Sequence, residues 1–165
     1  MNARRNASVP LALSALALGA LVLAGCAGGG ARTVTITHGA VTPTAVVPGA
    51  DGGAIGTVRT FHAEVAVEGG GTGTFDATMT TTALDEAAGV ETRLTTIVIV
   101  AGDGSDQLIL EGSAAYPAAG STIEVAATVI RPVIGGSGRW AGARGWAEST
   151  HEADGSWTHT FHLEP

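Results

Sequence analysis

The sequence has no lysine and only one cysteine, Cys26. Arginine therefore supplies every permanent side-chain cation, and the chain carries 8 Lys+Arg against 15 Asp+Glu. Nucleic acid, whose phosphates demand cationic partners, is not an expected partner of so acidic a chain. The same balance argues against electrostatic adhesion to anionic lipid. A lone cysteine cannot close an intramolecular disulfide and leaves no thiolate set for a structural metal. Helical periodicity is missing too, since no stretch beyond the first 25 residues repeats apolar positions every 3.6 residues. Gly135-Gly136-Ser137-Gly138 lacks the lysine and following helix of a phosphate loop, and no serine sits in a nucleophile elbow. His159 and His162 are three apart on one strand and so point to opposite faces. Asp103-Gly104-Ser105-Asp106 lacks the remaining ligands of a calcium loop and reads as a hairpin turn. Neither a metal nor a cofactor is expected.

What is present is, first, a targeting segment. Arg4 and Arg5 precede an apolar run, Val9 to Ala24, that is short for a transmembrane helix. The run ends in Leu23-Ala24-Gly25-Cys26, which resembles the lipobox of bacterial lipoproteins. On that resemblance residues 1–25 are a signal peptide and Cys26 is the lipid acceptor. The protein is then expected to be exported and lipid-anchored to the outer face of a bacterial membrane. An ordinary signal peptide followed by an incidental cysteine is the alternative. Loss of Arg4 and Arg5 leaves six basic against fifteen acidic residues, a net charge of −9.

Residues 26–55 are rich in Gly, Ala, Thr, Val and Pro and read as a lipidated N-terminus and extended linker. They hold one candidate short strand, Val34-Thr35-Ile36. From Gly56 onward, strands of alternating polarity are separated by Gly-rich turns, which points to an all-β domain over 56–165, a sandwich or a barrel. Phe61, Ala63, Val65 and Val67 share one face, as do Phe75, Ala77 and Met79. Ile97-Val98-Ile99-Val100 reads as a strand covered on both sides.

The C-terminal end carries the most information. Asp154-Gly155 suits the two central positions of a type I′ hairpin turn. That choice sets Glu152 opposite Trp157, Thr150 opposite His159, Glu148 opposite Phe161 and Trp146 opposite Leu163. One face would then hold Trp146, Glu148, Thr150, Trp157, His159, Phe161 and Leu163. Glu148 and His159 become diagonal neighbours on an apolar wall, a candidate acid–base pair. The same pair could simply satisfy itself. Trp146, Trp157 and Phe161 are candidate ligand contacts. Arg144 could bind a carboxylate in a cavity or pair with an acid on the outer wall.

Gly135-Gly136-Ser137-Gly138-Arg139-Trp140-Ala141-Gly142-Ala143-Arg144-Gly145 resembles the GG[ST]G-x-[FWY]-x-G-x-x-G signature of the allene oxide cyclase-like barrels, and its Ala-Arg-Gly ending that of the dirigent proteins. Asp106 to Gly112 and the closing Thr158 to Leu163 are similar to the neighbouring strands of that family. The resemblance implies a single antiparallel β-barrel of about eight strands, rather than a sandwich, and assembly as a homotrimer. The family's catalytic residues lie outside the matched stretch, so none is carried over. Two functions are expected in turn: a lipid-anchored barrel that binds a small apolar ligand or serves an interaction role, and a cyclase-like isomerase working by cavity shape.

Overall fold

The computed structural model describes residues 30–48, 55–69, 71–118 and 122–165. The proposed signal peptide and Cys26 lie outside the described residues. The described residues form nine strands: β1 (Arg32–His38), β2 (Thr44–Val46), β3 (Val58–Val67), β4 (Gly71–Asp85), β5 (Val90–Ala101), β6 (Asp106–Pro117), β7 (Thr128–Ser137), β8 (Gly145–His151) and β9 (Trp157–Leu163). All neighbours pair antiparallel, in the order β1-β9-β8-β7-β6-β5-β4-β3-β2, and a β1–β3 pairing closes the sheet. The fold is an eight-stranded barrel with β2 as an added short strand. Closure removes the exposed edges that an all-β chain must otherwise protect.

The first barrel strand lies earlier than the sequence suggested. β1 falls inside the expected linker, yet it pairs with β9 along its whole length, from Arg32↔Leu163 to His38↔Trp157. Its alternation is complete, with Val34, Ile36 and His38 buried. Pro43 and Pro48 interrupt the chain only after that strand ends, so their presence concealed a real one. β1 leaves β3 after Ile36↔Val67 and Thr37↔Ala66, and β2 rejoins β3 at Thr44↔Thr60.

The closing hairpin corrects the expected register. His151 opposes Trp157, Glu148 opposes Thr160 and Trp146 opposes His162. The turn is not type I′. Gly155 N–H donates to the Glu152 carbonyl (3.0 Å), and Glu152 N–H donates to the Ser156 carbonyl (2.9 Å). Of the turn residues only Gly155 has positive φ, at 86°. This is a type I turn followed by a left-handed glycine, a three-residue loop rather than two. Asp154 takes part through its side chain, which accepts from Ser156 N–H (2.9 Å) and Ser156 Oγ (2.6 Å). Those bonds anchor Asp154 without a positive φ. One added residue flips the whole of β8: Ala147 and Ser149 face inward, whereas Trp146 and Glu148 face outward.

The barrel interior is graded from end to end. Along β5 the inward residues run Glu91, Arg93, Thr95, Ile97, Ile99, Ala101, all buried. The apolar half is packed by Val34, Val67, Phe75, Leu108, Leu110, Val133, Phe161 and Leu163. Its end is plugged by Trp140, held in a 3-10 turn at Gly138–Trp140. The glycine-rich motif builds this plug. Gly138 has φ +57°, and a side chain there would lie 2.1 Å from Asp106 Oδ1. That carboxylate instead receives Arg139 N–H at 2.8 Å and pairs with Arg139 Nε at 3.2 Å. The motif is thus a structural corner at the barrel rim.

Candidate functional site

The opposite end of the barrel is hollow. A cavity of about 210 Å³ lies there, bounded partly by Phe61, Phe75, Met79, Ile97 and Trp157. The segment between β1 and β2 (Ala40, Val41, Pro43) and the Gly155 turn contribute to its wall. A Cβ on Gly155 would sit 3.6 Å from Ala40, so the two loops nearly touch.

Three arginines line this cavity: Arg59 on β3, Arg93 on β5 and Arg131 on β7. All three are buried, at 5%, 2% and 2% exposure. Glu91 is the one buried carboxylate among the described residues. Its Oε2 accepts from Arg93 Nε (2.9 Å) and Thr81 Oγ1 (2.9 Å) and lies 3.5 Å from Arg59. Burial raises the Glu91 pKa, but the hydrogen bonds from Arg93 and Thr81 and both guanidinium charges outweigh it and hold the carboxyl below its ordinary range. Burial, then the charge of Arg93, pull Arg59 below the ordinary arginine range, with Glu91 opposing. Arg131 donates to Thr95 Oγ1 (3.4 Å) and to the Tyr116 hydroxyl. Its Nε finds no hydrogen-bond partner among the described residues. Arg93 stacks over the Tyr116 ring at 4.6 Å, linking the two halves of the cluster. Gly112 sits close under β7: a Cβ there would press on Pro132 Cδ at 3.3 Å and come into ordinary contact with Arg131 Cγ at 3.5 Å.

Two histidines form the opposite wall. His38 Nδ1 lies 2.7 Å from the Gly39 carbonyl, which can only accept, so His38 carries its proton on Nδ1. His38 Nε2 must then accept from His159 Nε2–H at 3.1 Å. His159 Nδ1 in turn accepts from Ser149 Oγ at 2.9 Å. Every ring nitrogen is engaged and both rings are neutral. Burial depresses the His38 pKa, opposed by the Gly39 hydrogen bond. Burial, then the nearby His38 and Arg131, lower His159 to about 3.

The residues singled out by sequence are therefore separated. His159 lines the cavity, and Trp157 lines it while stacking on His151 at 4.9 Å. Phe161 is fully buried in the packed half. Trp146 is on the outer surface, 38% exposed and stacked on His162 at 3.8 Å. Glu148 is also outside, opposite Thr160 and Ile130, so the inferred Glu148–His159 pair is not assembled. Arg144 is exposed and donates to the Ile134 and Ala143 carbonyls (3.2 and 2.8 Å), away from the cavity. The arginine cluster escaped the sequence reading. Its signal was phase: Arg59 alternates in step with Phe61 to Val67, and Glu91 and Arg93 with Ile97 and Ile99.

No family profile matches this chain, and no curated protein does either. Solved structures do. A pyocyanin demethylase superposes with a TM-score of 0.55 at 16% identity, covering 81% of this chain and 98% of that one. A pterocarpan synthase dirigent protein superposes with a TM-score of 0.53 at 16% identity, covering 95% and 96%. The fold is that of the allene oxide cyclase-like barrels. At such identity the likeness extends to the fold alone, and the site must be read from this chain's own residues.

Proposed function

We propose that this protein is an exported, lipid-anchored barrel that binds a small apolar ligand in its hollow end. The observation that carries the reading is the asymmetry of the interior. One half is packed and plugged by Trp140, while the other keeps a cavity of about 210 Å³ with an aromatic and aliphatic wall. Ligand sites are typically such concave, mostly apolar spaces with a few placed polar groups. Binding is favoured over isomerisation because Glu148 lies on the outer surface and both imidazoles have their lone pairs engaged. Titration with 1-naphthalenemethanol, followed by NMR, tests it. Saturable shifts should centre on Phe61, Met79 and Trp157, and Met79→Trp should abolish them by filling the space. Shifts confined to the outer face, or none, would refute the reading.

Anchoring rests on Cys26 after the apolar run. Fractionation of wild type and Cys26→Ala tests it, since only the wild type should partition with membrane. The exposed apolar stripe of Ile130 (60%), Ile134 (45%) and Trp146 (38%) supports assembly into a homotrimer through the outer wall. Sedimentation at micromolar concentration should show more than one protomer, and a clean monomer would count against it.

A further inference from the structure

Resting on that reading, we infer that the ligand is an apolar carboxylate, with its body against the aromatic wall and its carboxylate on the guanidinium cluster headed by Arg131. The first support is charge. Among the described residues, three arginines line the cavity and no aspartate or glutamate does. Glu91, immediately behind, pairs with Arg59 and Arg93, whereas Arg131 has no carboxylate partner among the described residues. Burying an ion without a counter-charge is costly, so a site of this kind is completed by an anion.

The second support is hydrogen bonding. Arg131 is 98% buried, yet its Nε–H is unpartnered among the described residues, while the other end of the same guanidinium is fixed by Thr95 and Tyr116. A side chain so held has little rotamer entropy left to lose on binding. Guanidinium geometry suits a planar carboxylate. The histidine wall is compatible with this, since both rings are neutral and add no further charge. The chain as a whole is strongly acidic, with a formal net charge of −7. A cationic interior inside an acidic protein is therefore a local feature, not a reflection of overall composition.

The remaining wall argues for a monoanion with an apolar body. Phe61, Phe75, Met79, Ile97 and Trp157 offer no solvation to a second charge. A phosphate dianion would have to leave water at greater cost than a carboxylate.

The test is calorimetric titration of the full-length protein at neutral pH with 1-naphthoate, its neutral analogue 1-naphthalenemethanol, and 1-naphthyl phosphate. The carboxylate should bind at least about tenfold tighter than the alcohol, the ratio expected of a charge-assisted hydrogen bond. Arg131→Met should bring the ratio of acid to alcohol affinity down to about one. In the wild type, the Arg131 Nε–H resonance should shift with 1-naphthoate and not with the alcohol, a readout that stands even if the variant fails to fold. Equal affinities for acid and alcohol would overturn the carboxylate inference and leave the cavity reading intact. Tighter binding of the phosphate than of the acid would overturn the assignment to carboxylates. Binding of none of the three would overturn both readings.

Discussion

Glu91→Gln is the substitution with the most to reveal about the polar end of the barrel. Glu91 is 0% exposed, and one of its oxygens serves Arg93, Thr81 and Arg59. Glutamine keeps the size and can still accept from Arg93 and Thr81, so little packing is lost. The charge is lost. Arg59 and Arg93 would then lose the buried carboxylate charge that they share. Breaking a buried pair by removing one partner costs about 3–5 kcal/mol, because the surviving charge is left uncompensated. For a domain of this size that corresponds to a fall in Tm of roughly 10–20 °C. Urea melts and thermal scans measure the loss. Asp76→Asn is the control. Asp76 pairs with His62 at 2.7 Å, but both side chains are largely exposed, and such pairs contribute under about 1 kcal/mol. The same Glu91→Gln variant should bind 1-naphthoate more tightly than wild type and be partly rescued by it, since the anion restores the missing charge. A cost below about 1 kcal/mol, or weaker binding of the acid, would refute the electrostatic account.

Other consequences are equally direct. His38 and His159 have lowered pKa values, His159 to about 3, against an unfolded value of 6.5. Below pH 6.5 the unfolded chain takes up protons that the fold refuses, so stability present above 6.5 should decline between 6.5 and about 3. His159 alone should remove about 3 kcal/mol by roughly pH 4.5, seen in urea midpoints, while its ring resonances stay unprotonated. Titration of His159 near pH 6.5 would contradict this. Phe161→Ala should cost about 3–5 kcal/mol and Glu148→Ala within about 0.5, and a cost of several kcal/mol for Glu148→Ala in urea melts would restore the type I′ register, which buries that side chain. Gly138→Ala should cost about 1–3 kcal/mol or more from its positive φ and the close approach to Asp106, measured by the same melts.

Much of the architecture was legible because alternation is local. The faces of β3, β4 and β9 follow from Phe61 to Val67, Phe75 to Met79 and Trp157 to Leu163, and each is as the pattern implied. β1 was undervalued because its pairing partner, β9, lies more than a hundred residues away, and no local signal marks a closing strand. The β8 face was inverted by a single residue of turn length. Asp-Gly fits both a two-residue loop and the end of a three-residue one, and the Glu152 backbone hydrogen bonds with the lone positive φ at Gly155 distinguish them. The site was the least legible part. An arginine in phase with apolar residues looks locally like a strand end reaching solvent. Only closure of the barrel brings Arg59, Arg93 and Arg131 from three strands into one space.

The most direct measurement of the central claim is the set of intermolecular NOEs from bound 1-naphthoate. The account predicts contacts from its ring protons to the Met79 methyl, Phe61 and Trp157, and none to Ile130 or Ile134. Contacts to the outer stripe, with Met79 and Phe61 silent, would contradict it.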